Sequence, residues 1–234
     1  MTQDRRTAVT VGLLFLIAMV TSLVGGIWLE SILAAPDYLV TVSENETQVL
    51  AGVLLELINA AAVLAIPVLL FPILRRRTEA AALGYVAVRI VEAVILILAV
   101  ISPLILITLS QEVVAAGASD AFQMQTLGAV VIAARARLAG LLVPIFFSLG
   151  AFLLYAMLYG SRLVPRFISV WGLIAVALLL AWNLLEAFGV SISAGMVFGL
   201  PIILNEIFLG IWLVAKGFDS APLASGSARF AVEG

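Results

Sequence analysis

The sequence contains no cysteine and no histidine. Without cysteine, the chain has no disulfide framework, no thiolate nucleophile and no sulfur ligand for a metal. Without histidine, it lacks the commonest general base, metal ligand and haem ligand. Catalytic Ser–His and Cys–His pairs are therefore excluded, as are zinc sites that require either residue.

Charged residues are also scarce: they make up 11% of the chain, against about 25% in ordinary soluble domains. Hydrophobic residues make up 64%, the mean hydropathy is +1.25 and the net charge is −2. This composition is typical of a polytopic membrane protein, and it leaves no room for a separate soluble domain.

The few acidic residues limit the enzymatic options further. Every aspartate lies in a polar tail or loop, namely Asp4, Asp37, Asp120 and Asp219, so an intramembrane aspartyl pair is excluded. What remains is acid–base chemistry by a glutamate, with Glu56, Glu92 and Glu206 as candidates, and no motif supports it. We therefore expect a protein that is not an enzyme, uses no cofactor or metal and binds no nucleic acid.

Six apolar stretches are long enough to cross a bilayer. We predict an all-α membrane protein with six transmembrane helices in one domain, 1–217, with spans at about 8–30, 48–74, 79–110, 138–160, 165–188 and 194–216. Residues 34–47 and 111–125 are interpreted as polar loops, and 126–134 as an interfacial or partly re-entrant lead-in. The remainder, 218–234, is rich in Ser, Ala and Gly and is predicted to be a disordered cytoplasmic tail.

The basic residues predict the orientation. With six spans, most of them fall on one side of the membrane: Arg5, Arg6, Arg75, Arg76, Arg77, Arg162, Arg166, Lys216 and Arg229. The positive-inside rule then places both termini in the cytoplasm. We expect a multi-pass protein of the plasma membrane of a bacterium or archaeon, with the lipid bilayer as its main partner. The oligomeric state stays open.

The residues that could carry function are polar groups inside the spans. Arg89 and Glu92 lie three residues apart, on one helix face with Tyr85, at a depth where charge is costly and marks a candidate functional site. The same spacing relates Glu56 to Asn59 and Asn183 to Glu186. The predicted ligand-binding set is Glu56, Asn59, Tyr85, Arg89, Glu92, Asn183, Glu186, Asn205 and Glu206. Arg135 and Arg137 are possible outer-rim residues, and which of them faces the bundle interior is open.

Three readings of this polar set stay open. The first is a binding or sensing site in the outer half of the bundle for a small polar or amphipathic ligand, such as a lipid head group. The second is a small-solute or proton-linked transporter, which predicts a polar path that continues to the cytoplasm. The third is a structural or partner subunit, in which the charges are fully paired and no cavity exists.

Other features of the last two spans have simpler interpretations. Pro201 removes a backbone hydrogen bond in the sixth span, so that helix is either broken there or only closely packed. The small residues Ser191, Gly195 and Gly199 are spaced as in helix–helix packing contacts. Trp182, like the other tryptophans, is interpreted as a packing residue or an interface anchor.

Several stretches of the chain resemble the DUF4386 family of small multi-span membrane proteins. They are APDYL at 35–39, VLLELINA at 53–60, ALGYVAVRIVEAV at 82–94, TLSQE at 108–112, SRLVPRFISVWGLI at 161–174 and LPIILNEIFLGIWLVAKGF at 200–218. The resemblance covers nearly the whole chain up to Phe218. It implies about six helices in a plasma membrane, mainly of bacteria, and brings no activity, substrate or catalytic residue.

Overall fold

The computed structural model describes residues 3–116, 121–190 and 195–219, and within these ranges all regular structure is helical. The helices are α1 (Gln3–Leu33), α2 (Tyr38–Glu44), α3 (Glu46–Leu74), α4 (Glu79–Ala116), α5 (Ala121–Arg137), α6 (Val143–Ser161), α7 (Arg166–Ala187) and α8 (Gly195–Ala215). A five-residue π-helical segment, Leu138–Leu142, joins α5 to α6 without a break. The predicted disordered tail from residue 220 onward lies outside the described residues.

Six helical stretches are long and apolar enough to span a membrane, as predicted. They are α1, α3, α4, the continuous stretch from α5 through α6, α7 and α8. In three parts of the chain the helices of the structure differ from the predicted spans and loops. The expected loop at 34–47 contains the short helix α2, α4 continues past the predicted end of its span to Ala116, and the lead-in before the fourth span is the regular helix α5.

The π segment has a local cause in the sequence. Pro144 has no backbone N–H, so it cannot donate the helical hydrogen bond expected by Gly140 four residues earlier. The chain accommodates this by widening one turn at Leu138–Leu142. Pro201 has a milder effect, because α8 is continuous from Gly195 to Ala215 and is not broken there.

The six spans form a closed ring around a lumen. Each packs against two neighbours, in the order α1, α3, α4, α6, α7 and α8, and α8 returns to α1. The seam between α1 and α8 is tight at Gly12, where a Cβ would lie 2.6 Å from the carbonyl oxygen of Gly210. Only glycine allows the first and last spans to approach this closely.

One end of the ring carries both described chain ends, and we refer to it as the terminal end. Arg5 donates hydrogen bonds to the carbonyl groups of Leu213 and Val214 at the end of α8, at 2.9 and 2.7 Å. The Oδ1 of Asp4 lies 3.6 Å from the Nη2 of Arg76, a residue in the α3–α4 connection. The main apolar core fills this half of the ring, and the fully buried rings of Tyr85 and Tyr155 are part of it.

The opposite end, which we refer to as the far end, has its own small core. Leu29, Leu39, Val42 and Leu106 from α1, α2 and α4 are buried there, and side chains of α5 pack against them. The Tyr38 hydroxyl donates to the carbonyl of Gln125, and burial raises the pKa of this phenol. This core explains why helices extend into the regions that were predicted to be loops: the helix ends there bury apolar surface against α2.

Candidate functional site

The lumen contains a cavity of about 440 Å³ that is lined by residues from all six spans. The lining residues nearest the terminal end and nearest the far end are Ile66 and Gly140, respectively. At 1.5 Å per residue these lie about 12 and about 32 Å from the terminal ends of their helices. The cavity therefore occupies the middle of the bundle and the half toward the far end.

Exposure along the lining indicates where the cavity opens. The side chains at its inner end are buried, including Phe15, Ile66 and Arg89. Ser22 and Gly140, which line it nearer the far end, are exposed. The packed core beneath, with Tyr85 at its centre, closes the terminal end. The cavity is therefore closed toward the terminal end, and the exposed part of its lining lies nearer the far end.

Arg89 and Glu92 form an ion pair on α4 at the cavity wall. The Arg89 Nη1 donates to Glu92 Oε2 at 2.8 Å, and both side chains are at most 5% exposed. The guanidinium carbon lies 5.5 Å from the centre of the Phe147 ring, in a cation–π contact. Arg89 Nε is buried and has no hydrogen-bond partner in the described part of the chain. Gly150 provides the space for this side chain, since a Cβ there would lie 2.8 Å from Arg89 Cδ.

Glu206 on α8 lines the same cavity and has no ion-pair partner in the described residues. Its carboxylate is close enough to feel the charges of Arg89 and Glu92. Among residues 3–116, 121–190 and 195–219, however, it forms no hydrogen bond and no salt bridge within 4 Å. The cavity wall thus carries one basic and two acidic side chains, and one of the acids has no basic partner in the described residues.

Neutral polar groups complete the wall. Asn59 on α3 is buried and lines the cavity. Asn183 on α7 also lines it and donates to the carbonyl of Leu179, 2.9 Å away. Trp182 stands beside Asn183, and its indole N–H is buried with no acceptor in the described residues. An unsatisfied buried donor of this kind is uncommon and typically marks a functional site or an unobserved partner.

Five of the nine predicted site residues line the cavity: Asn59, Arg89, Glu92, Asn183 and Glu206. The other four lie elsewhere. Tyr85 is 1% exposed and belongs to the apolar core beneath the cavity. Asn205 donates to the carbonyl of Ile168 at 3.0 Å and so joins α8 to α7. Glu186 is exposed in the last turn of α7.

The fourth, Glu56, belongs to a separate ion pair. Arg135 donates through both terminal nitrogens to the two carboxylate oxygens of Glu56, with one of these contacts at 3.1 Å. The same guanidinium donates to the carbonyl of Ala99 at 3.0 Å. This arrangement ties α5 to α3 and α4. Arg135 is the basic residue that faces inward, while Arg137 is exposed, and neither lines the cavity.

The sequence interpretation missed several lining residues. Trp182 was assigned to packing or anchoring, yet it lines the cavity with Leu179 and Asn183, at helical spacing. Gly199 was interpreted as a packing contact, and that prediction is wrong for the part of the chain that the structure describes: a Cβ there would have no described atom within 4 Å. The signal was present in the i, i+3, i+4 pattern of Leu179, Trp182 and Asn183. Glu186 continues the same helix face one turn further on, beyond the cavity lining.

The acidic residues do not form a metal site in the part of the chain that the structure describes. No three carboxylates converge there in a way that could hold a metal ion. The chemistry available on the cavity wall is therefore ion pairing, hydrogen bonding and aromatic contact.

Comparison with known proteins gives one match. The family model described as Domain of unknown function (DUF4386) matches residues 10–217, which is most of the chain. No curated protein and no solved structure matches the sequence.

Proposed function

The chain belongs to the DUF4386 family, and because the description of that family names no activity, we propose a function from the cavity itself. The protein is a membrane-embedded binding protein that holds a small amphipathic molecule in the lumen of its six-helix ring. It binds this molecule without converting it chemically, in a binding or sensing role.

The observation that carries this proposal is the cavity with its charged inner end and largely apolar walls. Its volume of about 440 Å³ falls within the range of about 300–1,000 Å³ typical of small-molecule sites. Such sites combine mainly apolar surfaces with a few converging polar groups. Arg89, Glu206 and Asn183 provide those groups from three different helices.

The proposed orientation follows from the basic residues. Arg5, Arg76 and Arg166 lie at the terminal end, on the side that the positive-inside rule assigns to the cytoplasm. In a bacterial or archaeal plasma membrane, the cavity would then open toward the cell exterior. The ligand would reach it from outside the cell or from the outer leaflet.

The alternatives have less support. A transporter needs a second route, and the core around Tyr85 and Tyr155 closes the terminal end in this conformation. A purely structural bundle predicts that every charge is paired and that no cavity exists. The unpaired carboxylate of Glu206 and the cavity beside it argue against that reading.

The test is to fill the cavity without disturbing the fold. Phenylalanine replaces Gly199, which lines the cavity next to open space, and the matched control replaces Gly26, which also has open space around it but lies outside the lining. Both variants are reconstituted in nanodiscs with a panel of cationic, neutral and anionic phenylalkyl compounds. Thermal unfolding then reports saturable binding, because a ligand stabilises the folded state as its concentration exceeds its Kd.

We expect at least one compound to stabilise the wild-type protein and the Gly26→Phe variant saturably. The same compound should not stabilise Gly199→Phe, because the introduced ring occupies its site. If every compound acts equally on the two variants, the effects arise in the bilayer, and the proposal of a lumenal site is wrong.

A further inference from the structure

The charge balance of the cavity wall identifies the class of ligand. Arg89, Glu92 and Glu206 are the charged side chains that line it. The first two neutralise each other through the 2.8 Å contact on α4. Glu206 remains without a hydrogen bond or an ion pair in the described ranges of the chain. The wall is therefore short of one positive charge.

No neighbouring element supplies this charge in the described structure. Arg135, the other buried arginine, already binds Glu56 and the carbonyl of Ala99. Arg75 and Arg166 lie at the terminal end, beyond the packed core, and each contacts an aromatic ring there. Glu206 is only partly exposed, within a cavity whose walls are mainly apolar. A carboxylate there without a cation is unfavourable, because it loses part of its hydration and gains no ion pair in return.

We infer that the ligand supplies the missing charge: the cavity binds a small amphipathic amine whose ammonium group pairs with Glu206. This inference rests on the proposed binding function and specifies its ligand. The ammonium would lie at the inner end of the cavity. Its apolar part would lie along Phe15, Met19, Leu96 and Ile203, which provide the walls.

The surroundings of Arg89 argue against an anionic ligand. Its Nη1 donates to Glu92, and its Nε, which has no hydrogen-bond partner in the described residues, is buried in the wall where a ligand does not reach it. Two carboxylates flank the guanidinium and would repel a third. The face of Phe147 is already covered by Arg89, so the carboxylate of Glu206 is the strongest open partner for a ligand cation.

The experiment uses Trp182 as a reporter inside the cavity. Replacing Trp28, Trp171 and Trp212 with phenylalanine leaves one tryptophan, and Trp182 lines the cavity. The probes are 4-phenylbutylamine, 4-phenylbutanol and 4-phenylbutanoate, which share a skeleton and carry positive, zero and negative charge. Fluorescence titrations in nanodiscs of neutral lipid give a Kd for each probe. They are repeated with Glu206→Gln and with Gly199→Phe, and Glu186→Gln serves as the control for removing an acid from an exposed position on α7.

We expect the amine to bind at least tenfold more tightly than the alcohol, and the carboxylate to bind weakest. Glu206→Gln should remove the preference for the amine, so that the Kd values of the amine and the alcohol become similar, while Glu186→Gln should leave the preference as it is in the wild-type protein. If all three probes bind equally and Gly199→Phe blocks them, the lumenal site stands but its selectivity for amines is wrong. If Gly199→Phe blocks none of them, the lumenal binding site itself is rejected.

Discussion

Arg89 and Glu206 line the same cavity from helices on opposite sides of the lumen, yet the arginine donates to Glu92 on its own helix. The hydrogen bond within α4 gives Glu92 a partner and leaves Glu206 facing the open cavity. Four consequences can be measured.

Removing only the cation should be more harmful than removing the whole pair. Arg89→Leu leaves Glu92 buried without a partner, and we expect a loss of about 3–5 kcal/mol in the free energy of unfolding. Arg89→Leu combined with Glu92→Leu should recover most of that loss, because an apolar pair of similar size fits an apolar wall. Reversible unfolding in mixed detergent micelles measures both. Equal losses in the single and double variants would contradict this account.

The ion pair between Arg135 and Glu56 should contribute to stability, whereas the nearby Arg137 should not. Glu56→Leu leaves Arg135 with the carbonyl of Ala99 as its remaining partner among the described residues, so we expect a loss of about 3 kcal/mol in the free energy of unfolding. Arg137 is exposed two residues further on. Arg137→Leu should therefore change stability by about 0.5 kcal/mol at most. A similar effect for both substitutions would show that Arg135 does not tie α5 to α3.

Two glycine substitutions should have opposite effects. A Cβ at Gly172 would lie 2.5 Å from ring carbons of Tyr155, a side chain that is fully buried and has no room to move. We expect Gly172→Ala to destabilise the fold by about 1–3 kcal/mol through overpacking. At Gly84 the nearest atom would be 3.8 Å away. Gly84→Ala should be neutral or stabilising by about 0.5–1 kcal/mol, because alanine favours a helix over glycine. Thermal unfolding compares the two.

The absence of native cysteine permits a clean test of where the cavity opens. Ser22→Cys places a thiol on the cavity lining, and Val20→Cys places one two residues earlier, at a side chain that is 59% exposed but lies outside that lining. A membrane-impermeant maleimide applied outside intact cells should label Ser22→Cys. It should not label Val20→Cys, which faces lipid, or Val11→Cys, which is buried. Labelling of Ser22→Cys only from the cytoplasmic side would reverse the proposed orientation.

The sequence predicted the spans well because a 20-residue apolar run has few alternatives in a bilayer. It also identified Arg89 with Glu92, since a spacing of three residues places both on one helix face. It did not identify the partner of Glu56, because Arg135 lies 79 residues away and no local pattern relates them. Nor did it distinguish Asn205 from Glu206: adjacent helix positions differ by about 100°, and only packing shows that one bonds α7 and the other faces the cavity.

The seam at Gly12 and Gly210 has a consequence for biosynthesis. Helix α1 leaves the ribosome before α8 and finds one of its two neighbours only when α8 has been inserted. Until then the lumen has no wall on that side, and Glu206 has not yet been made. A product that ends before α8 would thus present a cleft open to lipid, and the ring closes only once α8 is in place.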